Sequence, residues 1–395
     1  MSRARPRVAV IGAGLAGVTA AVAASREGAD VAVFEQAPTP GGATVESAGW
    51  LWRYEDTSAA RRYAPDGDPD VQRAVVDRLD RDVAWLHRRG VRLLSTSTGR
   101  SFTTGVRIDP QQAVDALLGH LPADALQVES GLLRARRSAS GAVRLIVAAG
   151  ETTRHEEFDA VVFAGGGYAR NLTRVAEHAG IAPEAASTWM LRTRRGGDGT
   201  SGNAAVTMGA RFADAAGECF TKPAPLGVHG ITAAQLASWG ELFTPGARLI
   251  LRGGAEIERA DHDWSGSAAM WRLARTGAGA WLALPSQVLG LELHSGVVRQ
   301  LVRDAVRAGA DIAPAPRGGV RLAICPGITT TLGGLVVDQL GRLRSARGSG
   351  VAPGLCAAGG DVAGTGLGGT ASGLAQALVL GRSAGVHAAR DRPWD

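Results

Sequence analysis

Apolar and polar positions along the 395-residue chain follow two periods. Residues 7–11, RVAVI, form a short apolar run that stops at GAGLAG, positions 12–17. Small residues at helical spacing continue to about Glu27, and a second apolar run at 31–34 ends at Glu35. This order predicts a strand, a helix and a parallel strand, because a short apolar run suits a strand buried on both faces. Residues 70–90 carry helical periodicity and end at Gly90, and 110–119 begin a helix at a proline, a favoured first-turn residue. Segment 126–163 alternates like strands and ends in FDAVVFAGGG. From 223 to 318 prolines, tryptophans and histidines concentrate, with helices dominating 295–309. Strand signals resume at 321–325, 335–337 and 355–358, and a helix closes the chain from about Ser372.

The pattern predicts an α/β protein: a Rossmann-like domain made from residues 1–222 and 319–395, with an inserted α+β capping domain over 223–318. A chain of this length exceeds one ordinary core, and a cap of that size lies within the usual domain range.

Composition narrows the partners. The net charge is +6, and the basic residues are almost all arginine; Lys222 is the sole lysine. They are interspersed with acidic residues, as in RLDRDVAWLHRRG, without the dense clusters a nucleic-acid binder needs. Cys219, Cys325 and Cys356 form no CxxC pair, which fits a reducing cytoplasm and no structural metal site. No run of 18 uncharged apolar residues occurs, so no membrane span is expected. The basic, small-residue N-terminus reads as a buried strand and glycine turn rather than a secretion signal.

GxGxxG alone is weak in a chain with 55 glycines. Here it follows a strand, opens a helix, and meets an acidic residue, Glu35, 18 positions after its third glycine. That is the full dinucleotide fingerprint. Gly12 permits the tight turn, Gly14 lets backbone approach a pyrophosphate at the helix N-terminus, and Gly17 allows helix and strand to pack closely. Glu35 accepts hydrogen bonds from a ribose diol.

The following stretch, EQAPTPGGATVESAGWLW, resembles the flavoprotein family that contains soluble fumarate reductases, succinate dehydrogenase flavoprotein subunits and 3-ketosteroid dehydrogenases. FDAVVFAGGGYARN, GGDGTSGNAAVTMGARF, PGITTTLGGLVVD, GLCAAGGDVAG and SGLAQALVLGRSAG continue the resemblance in order. It implies FAD contacts from Gly12, Ala13, Gly14, Gly17, Glu35, Gln36, Gly41, Gly42, Ala43, Thr44, Ala164, Gly165, Asp198, Thr331, Gly333, Ala371 and Ser372. Gly360 stands where the family usually has a glutamate, with Asp361 next, a departure from the family pattern; both are candidate cofactor contacts. Family members that attach FAD covalently use a histidine near the double glycine; residues 44–50 contain none, which implies non-covalent FAD.

The resemblance implies hydride transfer between flavin N5 and a C–C bond beside a carbonyl. The charged anchors that fumarate reductases use for a dicarboxylate are Thr329, Thr330 and Gly366 here. Charge-assisted hydrogen bonds contribute about 1.5–3 kcal/mol each, so their loss argues against a dicarboxylate and for a neutral or apolar, steroid-like or secondary-metabolite substrate. Trp50 and Trp52 follow the flavin segment and are candidate substrate walls, with Trp264, Trp271 and Trp281 as further apolar candidates. The proton-transfer candidates are Tyr54, His262, Arg259 and His294, the last three in the expected cap. The sequence carries no haem motif, iron–sulfur cysteine cluster or second dinucleotide fingerprint, so the electron donor or acceptor is expected to be an external molecule. A flavin oxidase or oxygenase, or a flavin-binding protein without catalysis, are the alternatives.

Overall fold

The structure is a computed structural model that describes residues 5–98, 100–139, 141–213, 217–315, 318–348, 350–366 and 372–390. Its first sheet has six strands, in the spatial order Arg342–Arg344, Val351–Ala357, Ala160–Phe163, Arg7–Ile11, Asp30–Phe34 and Leu126–Gln127. All neighbours run parallel except the first pair, which is antiparallel. Arg7–Ile11 lies at the centre with Val8, Ala9 and Val10 fully buried, as expected for a strand covered on both faces. Strands from both ends of the chain thus share one sheet.

Helix Leu15–Arg26 follows the first strand, and nearly all its residues are small. It packs along the terminal helix Gly373–Arg390. A Cβ added at Gly385 would come within 2.1 Å of the Ala20 carbonyl oxygen, and one at Gly381 within 2.5 Å of the Ala16 oxygen. Only glycine allows the two backbones so close, and the contact places both helix N-termini on one side of the sheet's C-terminal edge. Open α/β sheets bind ligands along that edge.

The second sheet has seven strands and is mostly antiparallel. Its spine is the 13-residue strand Gly319–Thr331, flanked along its length by Met190–Leu191, Cys219–Pro225, Ala280–Leu284 and Ile312–Ala315. This sheet therefore draws strands from 190 to 331, beyond the 223–318 segment expected from composition. Its own apolar core includes Trp239, Leu242, Leu249, Leu282 and Ile324. The stretch CPGITTT, residues 325–331, is the end of the spine strand, which extends the strand signal at 321–325. Residues 335–337 carry isolated bridges rather than a strand.

Candidate active site

One cavity of about 440 Å³ runs from the glycine turn after the first strand to the spine strand of the second sheet. Its nucleotide end is lined by Gly12, Gly14, Glu35 and Gln36, with Gly42, Ala43 and Thr44 alongside. Gly12 has φ +98°, and a Cβ there would meet the Ala164 carbonyl oxygen at 2.5 Å, so the turn can only be glycine. A Cβ at Gly17 would come within 1.8 Å of the Gly12 carbonyl oxygen. The Glu35 carboxylate is buried and accepts from the Ala13 and Ala37 amides, both at 2.8 Å. Thr44 accepts from the Leu15 amide at 3.0 Å, and the Gly41 amide donates to the Ala13 carbonyl, which ties the double-glycine segment to the helix start.

Midway, Ala164, Gly165, Asp198, Thr331, Gly360 and Gly366 line the wall. Burial by itself would raise Asp198, but hydrogen bonds from Thr200 and the charge of Arg170 hold its carboxyl below the usual range. Asp361 stands behind the wall. Its carboxylate accepts from the Gly165 amide at 2.7 Å, the Gly167 amide at 2.8 Å and the Ser201 hydroxyl at 2.6 Å. Burial pushes Asp361 up, and these three bonds partly offset the rise. It therefore clamps the 165–167 turn to the C-terminal segment. Ser372 is buried, its hydroxyl 3.0 Å from that of Thr365, and Ala13, Gly17, Gly41 and Gly333 also lie outside the cavity lining. Ala371 lies outside the described residues.

The residues present fit FAD. Thr331 Oγ1 is buried without a hydrogen-bond partner on the cavity wall, an orphaned polar atom awaiting a ligand. The Gly12–Gly14 turn opens a helix whose first residues, Leu15 and Ala16, line the cavity, the end of a helix at which a pyrophosphate is bound.

The far end is walled by Trp50, Trp52, Phe220, Ala233 and Ala237, and by Thr329 and Thr330. Two cations, absent from the sequence-level candidates, face the same space: Arg192 and Lys222. Arg192 is only 9% exposed; it donates to Thr329 Oγ1 at 2.7 Å and to the Leu236 carbonyl at 2.6 Å, and its Nε has no partner. Burial pushes it down to about 10, so it stays charged at neutral pH. Lys222 Nζ donates to the Ser265 carbonyl and sits 5.4 Å from the Phe220 ring centroid. Burial, then the charge of Arg192, lowers it to about 7, opposed by Asp263. That one lysine in an arginine-rich chain was the available sequence signal.

The four proton-transfer candidates lie off the cavity wall. Tyr54 is buried beneath it and accepts a hydrogen bond from Trp264 Nε1 at 3.3 Å, with Tyr63 stacked on its ring. Arg259 spends its guanidinium on the backbone carbonyls of Asp263, Phe243 and Trp264. His262 neighbours that turn, and the exposed His294 packs edge-on against Trp50 at 5.5 Å. Their shared reason is topological: local sequence could not show which strand faces the cavity lines.

Residues 7–116 match the family model of the FAD binding domain. No curated protein matches the sequence. Among solved structures, the open conformation of a flavocytochrome c3 fumarate reductase is similar, with a TM-score of 0.70 at 19% identity over 98% of this chain and 78% of that one. So is 3-ketosteroid-Δ4-(5α)-dehydrogenase from Rhodococcus jostii RHA1 in complex with 4-androstene-3,17-dione, at 0.69 and 19% over 98% and 100%. 3-Ketosteroid Δ1-dehydrogenase from Sterolibacterium denitrificans in complex with 1,4-androstadiene-3,17-dione gives 0.72 and 15% over 97% and 99%. Among the described residues no helix is long and apolar enough to cross a membrane. The chain thus carries an FAD binding domain at residues 7–116 and has the fold of these fumarate reductase and 3-ketosteroid dehydrogenase structures.

Proposed function

We propose that this flavoprotein is a dehydrogenase or reductase acting on a C–C bond beside a carbonyl, in a small molecule with an apolar body. The observation that carries this reading is the continuity of one cavity, from the nucleotide fingerprint at Gly12 and Glu35 to a chamber walled by Trp50, Trp52 and Phe220. FAD, held without a covalent bond, supplies the hydride chemistry through its N5 position. The chain's own residues bind and orient: Glu35 takes the ribose, the 12–14 turn takes the pyrophosphate, and Thr331 with Gly165 faces the flavin.

The chamber favours an apolar body because Trp50, Trp52, Phe220, Ala233 and Ala237 form much of its wall, while Arg192 is held at Thr329. Residues 223–318 act as the cap, and the packing of His294 on Trp50 is one of its contacts with the flavin segment. Two of the similar structures carry steroid diones, which supports a substrate with that combination of apolar body and ketone.

Anaerobic stopped-flow with a panel of ketones and enones tests the reading. Bleaching of the bound flavin by a saturated ketone, or reoxidation of the reduced flavin by an enone, with only slow reaction with air, is the expected result. Prompt peroxide formation on admitting oxygen would make it an oxidase, and no response to any carbonyl compound would refute it.

A further inference from the structure

Two cations on the wall of a chamber built largely from aromatic, alanine and threonine side chains need a reason, since burying charge without a partner is costly. Arg192 reaches the wall beside the spine strand, where its backbone amide donates to the Ile328 carbonyl at 2.9 Å. Lys222 stands on the opposite flank, where its strand pairs Lys222 with Gly327. Gly240 lies between them: a Cβ there would come within 2.7 Å of Arg192 Nη2 and 3.3 Å of Lys222 Cβ. Each cation has one side satisfied by protein oxygens, Thr329 Oγ1 and Leu236 O for Arg192, Ser265 O for Lys222. Arg192 Nε is left over, more than nine-tenths buried and unpaired.

The nearby anions, Asp263 and Glu241, accept hydrogen bonds from neutral donors and make no ion pair with either cation. Asp263 accepts from the Ala269 amide at 2.8 Å and lies 3.4 Å from the Ser265 hydroxyl. Glu241, also on the cavity wall, accepts the amide and hydroxyl of Ser295. The remaining charged groups acting on Lys222, Arg259 and Arg100, are cations. The cations gathered here, Arg192, Lys222, Arg259 and Arg100, outnumber the carboxylates Asp263 and Glu241, so the surroundings of Lys222 keep a net positive charge.

We propose that Arg192 and Lys222 form an oxyanion site, which holds the oxygen of the substrate that carries or develops negative charge next to the reacting carbons. The ligand class is an enolisable ketone: when the neighbouring C–H bond breaks, its proton passes to a water molecule, its electron pair forms the C=C bond, and the carbonyl π pair moves to oxygen as an enolate. Arg192, fixed by Thr329, is the permanent charge. Lys222 is the member that titrates: below about 7 it is an ammonium that neutralises the oxyanion, and above that it becomes a neutral amine. A group with that titration range is suited to exchanging a proton with the bound oxygen. This assignment rests on the carbonyl reading above but is tested without the natural substrate.

The probe is 4-nitrophenol, whose phenolate is a coloured enolate mimic, added to the FAD-loaded protein. Wild type is expected to bind the phenolate and to lower the bound phenol's ionisation pH, with affinity that falls as pH rises through about 7. Lys222→Arg should keep binding and abolish that fall. Lys222→Met should weaken phenolate binding by about tenfold or more and flatten the profile, since a charge-assisted bond is lost. Arg192→Met with normal FAD content should weaken it similarly at low pH and move the fall to higher pH, because the charge of Arg192 helps to lower Lys222. The proposal is overturned if wild type does not bind the phenolate, or if Lys222→Arg and Lys222→Met both retain wild-type affinity and pH profile. If no carbonyl compound bleaches the flavin while phenolate binding still depends on Lys222, the reaction assigned above falls and the oxyanion site stands.

Discussion

The Arg192 guanidinium donates to the hydroxyl of Thr329 at 2.7 Å, across 137 residues of sequence. Thr329 reads in sequence as an uncharged replacement for a substrate anchor, yet in the fold it is the post that holds a charge on the cavity wall. The charge was not lost from the chamber; it arrives from another strand.

Thr329→Val removes the acceptor and leaves a second unpaired nitrogen on a guanidinium whose Nε already lacks a partner. An unsatisfied buried donor costs about 1–3 kcal/mol, more when charged. Denaturant unfolding should show a loss of that order, with Thr329→Ser close to wild type.

Asp361→Asn turns one oxygen of a three-donor clamp into a donor facing another donor, either an amide at Gly165 or Gly167 or the Ser201 hydroxyl. The 165–167 turn should loosen where it lines the cavity, and FAD affinity should fall by about tenfold or more, consistent with the loss of charged-acceptor bonds. Fluorescence titration of the apoprotein with FAD measures this.

Glu35→Ala frees the amides of Ala13 and Ala37 and removes the proposed ribose acceptor. FAD affinity should drop by at least about tenfold in the same titration, while Glu35→Asp should lose less if the carboxylate's charge matters more than its reach.

Lys222 has a folded-state pKa of about 7 against an ordinary value of 10.5, so between these limits the unfolded chain binds the extra proton. Stability must then rise with pH across that window, and the charged lysine's burial cost is felt fully below about 7. The difference in melting temperature between wild type and Lys222→Met should shrink or reverse in favour of wild type as pH is raised from neutral to about 10. A pH-independent difference would contradict the burial of the ammonium.

Gly385→Val drives a side chain into the Ala20 carbonyl, 2.1 Å from where its Cβ must lie. Overpacking costs about 1–3 kcal/mol where the core can shift. Here both partners are helix backbone, so thermal unfolding should show a loss at or above the top of that range.

By itself the sequence determined the nucleotide half of this protein. The run RVAVI, the glycine turn and Glu35 are close in the chain, and their meaning is local: a period of apolar residues, a turn only glycine can make, and a carboxylate at the end of the next strand. The chamber was not legible in the same way. Its wall is made where Cys219–Pro225 and Met190–Leu191 pair with the spine strand, and the register of those pairings decides which side chains face inward. A shift of one residue would turn Lys222 away from the cavity and expose its neighbours instead. Tyr54 and Arg259 had suitable chemistry but are committed to packing and to backbone carbonyls, whereas Arg192 and Lys222 are brought together only by tertiary pairing. Local periodicity specifies strands and turns; which residues share a cavity depends on contacts between segments far apart in the chain.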